Sequence, residues 1–195
     1  MNIKSIKKTS IILPLLVLLA CSSTSKVITD EDKSLLTGAG IQYSITSPAN
    51  MRSNLGSAML LGSLGHSLKG SSLQKKLGIK DPANYVSSGL EQYLMDKYKT
   101  KKGNQYKVVL ETYFWEVNDP IMDEKDNLHI SIGSRMKLLN EKNTVIASDE
   151  CYEHLPMIGD IYLSEKDLNR NYNEKFSKAF MTLASKCVKR FELKL

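Results

Sequence analysis

Four stretches of the chain alternate between hydrophobic and polar residues, and this period of two predicts β-strands. The first covers residues 41–45. The other three cover residues 106–117, 128–138 and 144–151, with short polar turns between neighbours. Strands that follow one another this closely are predicted to form an antiparallel meander. The pattern therefore predicts an antiparallel sheet of about four strands.

The strand over residues 106–117 is apolar on both faces, which is typical of a strand in the centre of a sheet. Strict alternation puts five of its residues on one face: Tyr106, Val108, Leu110, Thr112 and Phe114. Trp115 is interpreted as a core residue, and a place on a binding face is the alternative.

Two later segments carry apolar residues every three or four positions, the spacing of one helix face. The first helix is predicted to begin at Asp81 and Pro82, a residue pair that suits an N-cap and the first helical position. The second is predicted after Ser164, and its stripe is Leu168, Tyr172, Phe176, Phe180, Leu183, Cys187 and Phe191. Together the elements predict one α+β domain over residues 40–195, with the helices on one face of the sheet.

Segment 54–78 has near-helical apolar spacing, but glycines interrupt it at positions 56, 62, 65 and 70. Each interior glycine costs a helix about 1 kcal/mol relative to alanine. One interpretation is a helix or helical hairpin packed tightly on the sheet. The other is an apolar segment that meets lipid, a ligand or a partner, with Gly62, Gly65 and His66 as the candidate contact residues.

The first twenty-one residues have the order of a secretory signal peptide, with three lysines, an apolar run over residues 11–19, and then Ala20 and Cys21. Residues 18–21, Leu-Leu-Ala-Cys, resemble the lipobox of bacterial lipoproteins. The resemblance implies cleavage after Ala20 and diacylation of the Cys21 thiol. Ser22 then implies sorting to the outer membrane, on the side that faces the periplasm. The alternatives are a membrane-spanning anchor, for which the run is too short, and an ordinary signal peptide with a chance cysteine.

This N-terminal pattern divides the chain into a signal peptide over residues 1–20, a lipidated flexible tether over residues 21–39, and the domain. Removing residues 1–20 takes away three lysines and no acid, so the formal net charge falls from +6 to +3. A dense basic stripe with interleaved aromatic residues is missing from the sequence, so we expect no nucleic-acid binding. The expected partners are the membrane, through the lipid anchor, and an envelope protein.

Two cysteines remain in the predicted domain, Cys151 and Cys187. An exported protein enters an oxidising compartment where disulfides form, so a bridge between them is one interpretation. Two separate buried thiols are the other.

Candidate chemistry is sparse. The histidines are His66, His129 and His154, and no two have the spacing of metal ligands. Cys151 and His154 are close in sequence, and a nucleophile with its base is one hypothesis for this pair. The acidic loop after residue 118 lacks the glycine of a calcium-binding loop. We therefore expect no metal, no cofactor and no enzymatic activity.

The functional hypothesis is a non-catalytic envelope lipoprotein that serves as an accessory or interaction module of an envelope complex. In gross layout such a tethered domain is similar to transport-auxiliary lipoproteins. The alternative is a carrier or sensor of an apolar ligand that uses segment 54–78. An unrecognised hydrolase is the third hypothesis.

Overall fold

The structure is a computed structural model, and it describes residues 25–46, 50–54, 74–75, 78–118, 129–154 and 173–195. Its helices are α1 (Asp30–Leu36), α2 (Pro82–Tyr98) and α3 (Asn173–Glu192). Its strands are β1 (Gly40–Ile45), β2 (Arg52–Asn54), β3 (Lys101–Lys102), β4 (Tyr106–Asn118), β5 (His129–Leu139) and β6 (Val145–His154). These elements confirm the α+β class.

The sheet has the strand order β3-β1-β4-β5-β6, and β2 also pairs with β4. The antiparallel meander of β4, β5 and β6 is confirmed. The prediction of a wholly antiparallel sheet of about four strands is wrong, because β1 and β2 both run parallel to β4. The two pair with different parts of the same edge of β4, so they occupy one position in the sheet. Helix α2 lies between β1 and β4 and returns the chain, as a crossover to a parallel strand requires.

Strand β4 changes phase part-way along its length. Its register with β5 shifts between Thr112 and Phe114, so Tyr113 is an extra residue in a β-bulge. Before the shift Thr112 faces the core, and after it Trp115 and Val117 do, all fully buried. Phe114 therefore lies on the opposite face, contrary to the alternation prediction, while the core assignment of Trp115 is confirmed.

The two long helices pack against each other and against one face of the sheet. Helix α2 begins as predicted, because the Asp81 side chain caps it by accepting a hydrogen bond from the Ala83 backbone N–H at 2.8 Å. It ends at Lys99 in the left-handed conformation. The predicted start of the last helix lies outside the described residues, but its apolar stripe is buried from Phe176 to Phe191.

The segment predicted as a flexible tether is folded from Lys26 onward, so the tether prediction is wrong for residues 26–39. Helix α1 forms there because Thr29 caps it and three acidic residues occupy its first turn, near the positive end of the helix dipole. The segment stays on the domain because Ile28 and Leu36 are buried in the core. Residues 21–24 lie outside the described part of the chain.

Candidate functional site

The face of the sheet opposite α2 and α3 carries side chains from β4, β5 and β6 in cross-strand rows. One row consists of Phe114, Gly133 and Tyr152, which are paired across the three strands. The adjacent row consists of Glu111, Arg135 and Glu150. We call these two rows and the neighbouring Tyr113 and His154 the outer-face cluster. None of the helices described in the structure covers it.

Gly133 allows the aromatic side chains of this cluster to meet. Strands two positions apart are separated by about 10 Å, yet the ring centroids of Phe114 and Tyr152 are 5.3 Å apart. The two rings approach each other above the glycine, where a side chain would otherwise stand. Tyr113 extends the group on one side at 5.3 Å from Phe114, and His154 extends it on the other at 5.8 Å from Tyr152.

The rings are accessible to different degrees. Tyr152 is 52% exposed, whereas Tyr113 and Phe114 are half-buried. Partial burial raises the pKa of the Tyr113 hydroxyl above its ordinary value, and the nearby Glu150 carboxylate adds to this. The cluster is therefore an aromatic surface that is anchored at its centre and open to a partner at Tyr152.

The charged row is held by Arg135, which bridges two carboxylates. Its Nε donates to Glu150 at 2.5 Å and its Nη1 donates to Glu111 at 3.1 Å. The hydrogen bond to Glu150 raises the pKa of the guanidinium further. Arg135 also lies 5.3 Å from the centre of the Tyr113 ring, in a cation–π contact. Two acids and one base leave the row with one net negative charge.

The arrangement has the composition of a protein-binding surface. Tyrosine and arginine are enriched where protein partners bind tightly, in part because they combine apolar area with fixed polar groups. The hypothesis of a Cys151 and His154 nucleophile pair is wrong, because Cys151 faces the core within a disulfide and His154 faces outward. Among the described residues, no group of three His, Cys, Asp or Glu side chains could hold a metal ion.

The predicted site residues fall into two sets. Cys151 on β6 and Cys187 on α3 form a disulfide, with their Cα atoms 5.4 Å apart, so the interpretation as separate thiols is excluded. Cys21, Gly62, Gly65 and His66 lie outside the described residues. The lipidation of Cys21 and the carrier hypothesis for segment 54–78 therefore stay predictions.

Sequence reasoning missed the outer-face cluster. The signal for it was present, because Gly133 interrupts the polar side of the most regular strand in the chain. A glycine there leaves a gap that aromatic side chains of the neighbouring strands can fill. The neighbouring strands supply Phe114 and Tyr152, but their register with β5 depends on the bulge at Tyr113.

A second surface feature is the groove between α2 and α3, lined by Gly89, Gln92, Tyr93, Asp96, Lys97 and Glu192. Its cation is already engaged, because the Lys97 ammonium donates to the Tyr93 hydroxyl at 2.5 Å and lies 5.1 Å from the centre of the Tyr98 ring. The groove therefore has fewer free polar groups for a partner than the outer-face cluster.

Within the residues that the structure describes, none of the helices has the length and apolar character needed to span a membrane.

Comparison with protein-family models gives no match, and comparison with curated proteins gives none either. Among solved structures, the chain is similar to the minor lipoprotein of Acinetobacter baumannii, at 8% identity over 75% of this chain and 92% of that chain, with a TM-score of 0.35.

Two further solved structures are lipoprotein GNA1162 of Neisseria meningitidis and PelC of Paraburkholderia phytofirmans. The first shows 10% identity over 77% of this chain and 96% of that chain, with a TM-score of 0.28. The second shows 6% identity over 82% of this chain and 94% of that chain, also with a TM-score of 0.28.

Proposed function

We propose that the protein is a lipid-anchored envelope lipoprotein without catalytic activity, held at the outer membrane through Cys21 on the periplasmic side, and that it binds an envelope protein through the outer-face cluster. The anchor rests on the lipobox resemblance. The disulfide between Cys151 and Cys187 agrees with an exported location, because such bonds persist in oxidising compartments.

The observation that carries the binding role is the exposed Tyr152 ring at the end of an aromatic row bordered by charged side chains. Its neighbours hold it in place on a rigid sheet, so little side-chain entropy is lost when a partner covers it. The Glu111–Arg135–Glu150 row sits at the rim, where paired charges set orientation more than affinity. Its net negative charge favours a partner whose contacting segment combines an apolar side chain with a cationic one.

Site-specific photocrosslinking in the bacterial envelope tests this role. A benzoylphenylalanine at position 152 should give one discrete adduct with an envelope protein, and the same probe at Met95, an exposed residue on α2, should not. With the purified partner, Tyr152→Ala should weaken the affinity about 30-fold, the size of a hot-spot loss. Met95→Ala is the matched control. Equal crosslinking at both positions, or unchanged affinity in Tyr152→Ala, would contradict the assignment of the surface.

A further inference from the structure

The chain joins the folded domain at the β6 edge of the sheet. The Lys26 backbone N–H donates to Ser148 at 2.8 Å, and the Ser148 N–H donates back to Lys26 at 2.9 Å. Two residues later, the Ile28 N–H donates to the Lys194 carbonyl at 2.8 Å. Because Ile28 is also buried, the chain is fixed to the domain from Lys26 onward. The residues after Lys26 therefore do not add to the length of the tether.

The lipid anchor is therefore close to the fold. If Cys21 carries the lipid, as proposed above, only residues 22–25 separate it from Lys26. Five Cα-to-Cα steps span at most about 17 Å, even when fully extended. Part of that reach is used within the headgroup layer, which is about 6 Å thick on each side of the hydrocarbon core. A domain of this size has a radius of gyration of about 15 Å, so its surface around Lys26 cannot move clear of the membrane.

Two exposed apolar side chains lie beside this attachment point. Val27 is 53% exposed and directly follows Lys26. Leu193 is 78% exposed and directly precedes Lys194, whose carbonyl accepts the hydrogen bond from the Ile28 N–H. The net charge around the attachment point does not attract it to a membrane. Lys26 and Lys194 are offset by the acidic first turn of α1, Asp30, Glu31 and Asp32. The short tether and the apolar side chains are thus the features that fit a lipid surface.

We propose that the domain rests on the membrane by its β6 edge, with Val27 and Leu193 in the headgroup layer. The sheet then stands on its edge, and β3 lies four strand spacings away, about 19 Å further from the lipid. In this orientation the outer-face cluster opens sideways along the membrane, where a membrane-bound partner can reach Tyr152. The inference depends on lipidation at Cys21 but not on the identity of that partner.

Photolabelling of the lipidated full chain in vesicles tests this orientation. The vesicles contain phosphatidylethanolamine and phosphatidylglycerol with a small fraction of a phospholipid that carries a diazirine in its headgroup. After illumination, mass spectrometry should find labels at Lys26, Val27, Leu193 and Lys194 and none at Lys101 or Lys102. Equal labelling at the β3 edge, or labels only before Lys26, would overturn the orientation.

Two variants and one control variant sharpen the test. A fifteen-residue Gly/Ser insertion between Ser25 and Lys26 extends the tether from five to twenty steps, which should lower labelling of Val27 and Leu193 about eightfold, following the −3/2 power of linker length. The double variant Val27→Asp with Leu193→Asp should also lose these labels, and Met95→Asp, an exposed site on α2, should keep them. Unchanged labels in the insertion variant would refute the role of the tether.

The same sample separates this inference from the proposed anchor. The intact mass of the vesicle-bound protein shows whether Cys21 carries acyl chains. Acylated protein with evenly spread labels would refute the orientation and leave the anchor standing. Protein without acyl chains would refute the anchor, and the orientation with it.

Discussion

Replacement of Gly133 by alanine tests the outer-face cluster through the sign of a stability change. Glycine in a strand is usually less stable than alanine by about 0.5–1 kcal/mol, because it loses more backbone entropy on folding. Gly133 does not have a positive φ, so its backbone accepts alanine. If no ring covered it, Gly133→Ala should stabilise the protein by that amount.

The rings above Gly133 should reverse the sign of this stability change. A Cβ at position 133 would lie 2.5 Å from Tyr113 Cε2, and the Phe114 ring would also clash with it. Because these rings are half-buried rather than enclosed, they would move outward and lose their mutual contacts. Aromatic pairs are worth about 0.5–1.5 kcal/mol each, and overpacking costs about 1–3 kcal/mol. We therefore expect Gly133→Ala to lower the free energy of unfolding by about 1–2 kcal/mol.

A double-mutant cycle with Phe114→Ala isolates this effect. Urea denaturation of the wild type, the two single variants and the double variant gives the free energy of unfolding of each. In the background of Phe114→Ala, the substitution at Gly133 should cost clearly less, with a coupling of about 1 kcal/mol. An increase in stability of Gly133→Ala in the wild-type background would refute the packing of the rings above this glycine.

Three further changes test the fold that presents this surface. Replacing Cys151 and Cys187 together by alanine should lower stability by about 4 kcal/mol, from the chain entropy of a bridge with a sequence separation of 36; denaturation with and without reductant should give the same loss for the wild type. Trp115→Ala, at a fully buried site, should cost about 3–5 kcal/mol, and the half-buried Phe114→Ala much less, whereas equal costs in thermal unfolding would contradict the phase change in β4. Asp81→Ala removes the cap of α2 and the acceptor 2.6 Å from the Thr112 hydroxyl, so calorimetry should show that the free energy of unfolding falls by about 1–2 kcal/mol. An equal fall in Asp96→Ala, at an exposed site on the same helix, would show that loss of an acidic charge, and not loss of the cap, causes the effect.

Local patterns in the sequence were enough to predict several elements. The start of α2 follows from Asp81 and Pro82, whose cap and fixed φ act within a single turn. The strand β5 follows from its alternation, because all of its inward side chains except Ser134 are large and apolar. The disulfide followed as one of two interpretations, since Cys187 shares the apolar stripe of α3.

Other features depend on long-range pairing, which a period of two does not encode. The prediction continued the alternation in β4 through Tyr113 and so placed Phe114 on the same face as Thr112. The bulge at Tyr113 puts Phe114 on the opposite face. The parallel pairing of β1 with β4 was foreseeable, because a helix between two neighbouring strands returns the chain to its starting end. Helix α1 was also foreseeable from Thr29 and the acids that follow it, but its polarity made the segment resemble a tether.

The most direct test of the central claim is the mass of the N-terminal peptide of the protein purified from bacterial membranes. Trypsin should release Cys21–Lys26 as the first peptide. We predict that it begins at Cys21 and carries a diacylglyceryl group on the thiol. A first peptide that includes residues before Cys21, or one that carries an unmodified Cys21, would contradict the lipid anchor and the account built on it.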